Sequence, residues 1–268
     1  MERHEDEFKQ RELLDKEWTK YLKSRGSYKH MKSAGRYDSS PRLRSLVRRG
    51  IPAAMRGKVW QEISLVSLYK GSYQPLPEPN FYHSLLARMN DLSEQTKHDI
   101  ENDLDRTIPN HPNFRGSYSP GQLSLRNVLS AYAVHNPRIG YCQGINFIAG
   151  TLLLFLEEED AFWLFATMMD KLLPQDMYGR HMTDANADQL VIKHIIKQQF
   201  HDIDRNIKNN ELPLPTLSWF LGLYVNVVRF DVTLRIWDIF FNEGYIVLFQ
   251  IAFAILEIYE YDFIHAND

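Results

Sequence analysis

The chain has 268 residues, 44% of them hydrophobic and 24% charged, with a formal net charge of −3 and a single cysteine, Cys142. That length and apolar content support a sizeable core and exclude a chain that is disordered throughout. One cysteine excludes an internal disulfide framework and a zinc site of paired cysteines, and the small negative charge argues against a nucleic-acid binder. The lone thiol fits a reducing, cytoplasmic setting.

Taken in chain order, the N-terminus Met-Glu-Arg-His-Glu-Asp-Glu lacks an apolar core, so no secretory leader is expected. Residues 2–25 read as one amphipathic helix, with Phe8, Leu14, Trp18 and Tyr21 or Leu22 near helical spacing among charges. Ser24 to Ser40 is rich in Gly, Ser and Lys and reads as a linker. Residues 1–40 are therefore expected to be a helix plus basic linker, and residues 41–268 the main domain. Residues 19–58 hold 12 Lys or Arg and one acid, Asp38, whereas the rest of the chain holds 19 basic and 33 acidic residues. A basic segment beside an acidic body could make a peripheral contact with an anionic endomembrane or an acidic partner. A solvated linker is the plainer reading.

From Pro41 onward, helical runs alternate with breakers. Arg42–Arg49 is a predicted helix stopped by Gly50-Ile51-Pro52, and Ala53–Leu68 is a second. Gly71 to Pro79 is a Pro-rich loop, and Phe81–Met89 a further short helix. Asp91 or Ser93 caps the next helix, which runs to about Arg106 before Pro109 and Pro112 forbid its continuation. Gln122–Asn136 is a strong helical pattern. Helices are then expected from Ile145, over Glu159–Leu172, Asp188–Asn209, Leu217–Val228 and Val232–Phe241, and over Tyr245–Tyr259. The longest apolar run, Ile145 to Leu156, is about two-thirds of the length that spans a bilayer and includes Asn146 and Thr151, so it reads as a buried helix. Neither a period-2 strand nor a fixed-length repeat is evident, and the predicted fold class is all-α.

The sequence lacks a Walker-type phosphate loop, G-x-G-x-x-G, H-E-x-x-H and G-x-S-x-G, so nucleotide or zinc chemistry by those routes is not expected. Two patterns remain. Asp103 and Arg106 lie three residues apart on one helix face, where a carboxylate can aim a guanidinium past the helix end. By spacing alone, a surface ion pair is the stronger reading of them. Gly140-Tyr141-Cys142-Gln143-Gly144 is a glycine-bracketed loop presenting an amide, a group that can orient a water beside a phosphate. By itself, it reads equally as a solvent-facing connection.

Together with their neighbours, these residues resemble the TBC domain family of Rab GTPase-activating proteins. The resemblance runs from about Arg48 to Gly244. It comprises Arg49-Gly50-Ile51-Pro52 with Arg56-Gly57-Lys58-Val59-Trp60, an I-x-x-D-x-x-R pattern at Ile100, Asp103 and Arg106, and a Y-x-Q pattern at Tyr141 and Gln143. Leu234-Arg235-Ile236-Trp237-Asp238 and Phe241-Asn242-Glu243-Gly244 follow in order. The resemblance implies a V-shaped all-helical domain of two lobes that stimulates GTP hydrolysis on a Rab-family small GTPase in vesicle trafficking. Arg106 would neutralise charge on the phosphates, and Gln143 would orient water in place of the GTPase's own glutamine. Asp103 would position Arg106, Tyr141 and Gly144 would support the second finger, and Arg56 and Trp60 would stabilise the groove wall or touch the partner. GTP and Mg²⁺ would be carried by the GTPase, with no cofactor on this chain. A non-catalytic GTPase-binding or scaffold module of the same fold is the alternative. Arg229-Phe230 stands where the family often has Leu-Pro, and family domains usually carry further helices past the position of Asp268, so the C-terminal lobe could be incomplete.

Overall fold

A computed structural model of the chain describes residues 2–24, 40–64, 80–210 and 215–265. The described residues form fourteen α-helices and no strand, as the pattern predicts. Local signals fix many of the ends. Helix α1 spans Glu2–Ser24 and α2 spans Pro41–Arg49. Ser40 caps α2, its Oγ accepting from the Leu43 N–H at 3.2 Å, and Gly50 stops it with a φ of 122°. Helices α3 (Ala53–Ile63) and α4 (Phe81–Leu86) precede α5 (Glu94–Thr107). Ser93, rather than Asp91, caps α5, accepting from the Thr96 N–H at 3.1 Å. Then come α6 (Pro120–His135), α7 (Ile145–Leu153) and α8 (Glu158–Thr167), the last ending in a π turn over Met168–Leu172. The remaining helices are α9 (Thr183–Gln199), α10 (His201–Asn210), α11 (Thr216–Leu221), α12 (Phe230–Glu243), α13 (Ile246–Ile258) and α14 (Glu260–His265).

These helices pack in two groups. Helix α6 is the centre of the first, with α4, α5, α7 and α8 laid against it over buried Leu125, Val128, Leu129 and Tyr132. Helix α12 is the centre of the second and receives α2, α3 and α13, while α9, α10, α11 and α14 extend that group. Trp60 of α3 joins the two. It is fully buried, and its ring lies 5.3 Å from Phe155, just beyond α7, and 5.7 and 5.2 Å from Trp237 and Phe241 of α12. Helix α1 packs on α2, with Trp18 fully buried and its indole N–H donating to the Gly50 carbonyl at 2.7 Å. It therefore rests on the main domain from the other side of the boundary predicted at residue 40.

The helix predicted over Phe81–Met89 ends at Leu86, and two others differ more from those observed. The run Asp188–Asn209 falls on two helices that meet at Phe200, whose backbone leaves the helical region. The helix expected over Leu217–Val228 ends at Leu221 because tertiary hydrogen bonds capture the next residues. Leu223 and Tyr224 take left-handed φ values of 47° and 66°. Their carbonyls accept from the Trp237 indole at 2.9 Å and the Thr233 hydroxyl at 3.2 Å. The Tyr224 hydroxyl donates to the Leu248 carbonyl at 2.6 Å. Such bonds replace those a continued helix would make. The end of the predicted Ala53–Leu68 helix, the Pro-rich loop and the basic linker lie outside the described residues. Among described residues, no helix is long and apolar enough to cross a membrane.

Helix α2 is clamped to the end of α12 by charge. Arg48 donates to both Glu243 oxygens at 2.7 and 2.8 Å, and Arg44 adds a bond of 2.6 Å. Hydrogen bonding from Arg48, then Arg44, holds the Glu243 carboxyl down to about 2, against an ordinary 4.5. The stabilisation is thus complete above the ordinary value and is lost as pH falls from there through about 2. The stability difference between wild type and Glu243→Gln, read by urea unfolding, is predicted to be flat above about pH 5 and to shrink below it. A difference that grows on acidification would contradict the clamp.

Candidate functional site

The C-terminal half of α5 sets its side chains on two faces. Ile100, Asp103 and Thr107 are buried, facing α6 and α7, while Arg106 stands at the rim. The Asp103 side chain is only 5% exposed, whereas that of Arg106 is 49% exposed. The two are joined at 2.5 Å. The other Asp103 oxygen accepts from the Tyr141 hydroxyl. Burial, and then this bond to a carboxylate, push the Tyr141 hydroxyl well above the ordinary tyrosine range, so it remains a donor at any physiological pH. A buried carboxylate needs such partners, and here they fix the direction of Arg106 and the start of the Tyr141–Gly144 loop at one point.

Gln143 is exposed at the tip of that loop. Gly144 follows with a φ of 110°, a conformation that L side chains rarely adopt, and starts α7. Asp99, Asn102, Asp103, Arg106, Tyr141 and Gln143 together line an open cavity of about 410 Å³. The structure therefore brings the Asp103–Arg106 turn and the Tyr141–Gln143 loop to one space, although Asp103 and Tyr141 lie 38 positions apart in the chain. One cation, Arg106, faces that space with two neutral amides, Asn102 and Gln143, and the Asp99 and Asp103 carboxylates also line it. Such an arrangement can bind and polarise a phosphate oxygen while positioning a water.

The other sequence-selected residues lie elsewhere. Arg56 and Trp60 are buried and converge on Asp238 of α12, which is itself fully buried. Arg56 Nε donates to Asp238 at 3.1 Å, the Trp60 indole at 2.9 Å, the Ile51 N–H at 3.3 Å and Arg235 at 3.0 Å. Neither lines the cavity; they hold the α2–α3 turn to α12. Four of the twelve Lys and Arg of residues 19–58 are likewise matched within the chain. Arg44 and Arg48 meet Glu243, Arg49 meets Glu17, and Arg56 meets Asp238.

Several supporting residues carry no signal in the sequence. Glu101 of α5 pairs with Arg126 of α6, and Asp105 accepts from Gln122 at 2.8 Å, so α5 is tied to α6 on either side of Asp103. Asp170, on the π turn, accepts from Tyr132 at 2.8 Å and Asn136 at 2.9 Å, and the Asn136 carbonyl accepts the Gly140 N–H at 2.8 Å. The entrance of the Gln143 loop is thereby anchored. Helical spacing does not reveal contacts such as Gln122 to Asp105 or Asn136 to Asp170, which join residues 17 and 34 positions apart.

The profile of the Rab-GTPase-TBC domain matches residues 53–264. The chain belongs to this family. It is 38% identical over 231 residues to "Small G protein signaling modulator 3" of Mus musculus, covering 85% of this chain and 30% of that one. It is 33% identical over 231 residues to "TBC1 domain family member 2B" of Mus musculus, covering 85% of this chain and 24% of that one. The chain thus spans less than a third of the length of these relatives. Among solved structures, the Chlamydomonas flagellar RabGAP TBC domain superposes with a TM-score of 0.73 at 27% identity, covering 95% of this chain and 83% of that one.

Close packing fixes the distance between the two halves of the site. Gly150 of α7 faces the end of α5, where an added Cβ would lie 2.7 Å from Thr107 Cγ2 and 3.2 Å from Ile108 Cδ1. Gly150→Ala gains up to about 1 kcal/mol in helix propensity, but overpacking costs about 1–3 kcal/mol. Net destabilisation is predicted in thermal unfolding. A raised Tm would show that the two helices have room to part.

Proposed function

We propose that this TBC domain is a GTPase-activating module for a Rab-class small GTPase in vesicle traffic, with Arg106 and Gln143 acting in trans on the partner's GTP and Mg²⁺. The observation that carries this reading is the buried Asp103 carboxylate, which holds Arg106 and Tyr141 at one cavity with Gln143 on its rim. Family membership and the names of its relatives supply the substrate class.

In the proposed reaction, a water attacks the γ-phosphorus in line as the bond to the β–γ bridging oxygen breaks. The proton of the water passes to phosphate, and the bridging oxygen leaves on GDP. Negative charge gathers on the β- and γ-phosphate oxygens as this happens. Arg106 reaches those oxygens with a planar fork already aimed by Asp103, so little ordering is left to the moment of reaction. The Gln143 amide accepts from the attacking water and donates to a phosphate oxygen, fixing the line of approach. Tyr141, locked as a donor on Asp103, keeps the loop at the height of the guanidinium.

An arginine supplied in trans raises such rates by about 10³–10⁵, or roughly 4–7 kcal/mol of barrier. Because the fork geometry carries this effect, Arg106→Lys is predicted to fail nearly as badly as Arg106→Ala. Phosphate release from a panel of GTP-loaded Rabs, with wild type, both Arg106 variants and Gln143→Ala, is the check. Stimulation of one or a few Rabs, lost in all three variants, is the expected result. Near-normal stimulation by the lysine variant would defeat the fork argument, and no stimulation by a folded wild type would favour a non-catalytic binding module.

A further inference from the structure

Asn146 is fully buried in the first turn of α7, and both ends of its carboxamide are used. Oδ1 accepts from the Gly144 N–H at 3.0 Å, the residue immediately after Gln143. Nδ2 donates to Thr107 Oγ1 at 2.9 Å, the residue immediately after Arg106. The Thr107 hydroxyl in turn donates to the Asp103 carbonyl at 2.5 Å. A continuous chain of three hydrogen bonds therefore runs from the loop that carries Gln143 to the helix turn that carries Arg106. Thr107, 5% exposed, is buried beside Asn146.

We infer that Asn146 is a positioning residue that sets Gln143 in register with Arg106 by bridging Gly144 to Thr107; this rests on the activator reading above. The residue type follows from the chemistry. The position needs an acceptor toward Gly144 and a donor toward Thr107, within a short, rigid side chain. Asparagine has both, and ionised aspartate has no donor. Gly144, held at a φ of 110°, starts α7, so its N–H has no helical carbonyl to bond. The amide of Asn146 satisfies it and at the same time fixes the loop. In a buried network whose members are all satisfied, removal of one leaves the others with unmet bonds and loosens the geometry. Since Asn146 and Thr107 are hidden from any docked protein, their loss acts on the alignment of the fingers and not on affinity.

The test uses the full chain with Asn146→Ala, Thr107→Val and Thr107→Ser, the last keeping the hydroxyl. Amide exchange at Gly144 is followed by NMR, and kcat and KM are measured for a GTP-loaded Rab that the wild type stimulates. Asn146→Ala is expected to speed Gly144 exchange by about five- to tenfold, the loss of a hydrogen bond worth about 1–1.4 kcal/mol. It and Thr107→Val are expected to lower kcat by about 10²-fold, the effect of a misplacement of about 1 Å, with KM nearly unchanged and Thr107→Ser close to wild type. In a Gln143→Ala background, Asn146→Ala is expected to add little, because coupled residues are not additive. An unchanged kcat, an effect carried by KM, or full multiplication of the two losses would overturn the inference. If the wild type stimulates no Rab, the activator reading fails on its own, and Gly144 exchange that is unaffected by Asn146→Ala overturns the bridge independently.

Discussion

The buried carboxylate of Asp103 is the constraint on which the site depends. A charge in that position is tolerated only if its oxygens are occupied, and the chain offers it one partner on each. Arg106 comes from the same helix turn and Tyr141 from a loop 38 residues later. Meeting the electrostatic need of Asp103 therefore orients a guanidinium and recruits a loop in one step. The end of α5 completes the arrangement. Thr107 is the last helical residue, and the turn toward Pro109 leaves the Arg106 head facing open space instead of a further helical turn.

A second buried carboxylate organises the other helical group by the same rule. Asp238 takes hydrogen bonds from Ile51, Arg56, Trp60 and Arg235, which gathers the α2–α3 turn onto α12. Arg235 also reaches the Val47 and Arg48 carbonyls at 3.2 and 2.7 Å, so the end of α2 is held by the same cluster. The Gly50 carbonyl next to it accepts from Trp18, which carries the connection out to α1. Trp60 serves both polar and apolar parts, bonding Asp238 through its nitrogen and packing on Phe155 with its ring. One carboxylate thus fixes the site and the other fixes the frame on which that site is carried.

Much of this is legible in the sequence because it is local. Helical periodicity, proline stops and the Ser93 cap mark most elements, and a spacing of three residues is enough to place Asp103 and Arg106 on one helix face. The Tyr141–Gly144 loop is legible as a glycine-bracketed turn. Tertiary contacts decide the rest, and those the sequence hides. The apolar run after Leu221 looks helical, yet Trp237 and Thr233 capture its carbonyls and end the helix. Arg56 and Trp60 stand out by motif, but their common acceptor, Asp238, lies 182 and 178 positions away. Asn146 reads as an interruption in an apolar helix, and its use in joining Gly144 to Thr107 depends on the close approach of α7 to α5 at Gly150.

The central claim is that both catalytic groups come from this chain. Single-turnover GTP hydrolysis by a Rab whose own water-orienting glutamine has been replaced by leucine tests it most directly. If Gln143 orients the water, the wild-type chain still accelerates hydrolysis on that variant GTPase, and Gln143→Ala does not. If acceleration disappears with the GTPase's own glutamine while Gln143→Ala remains active on the normal GTPase, the second finger does not belong to this chain and the account is wrong.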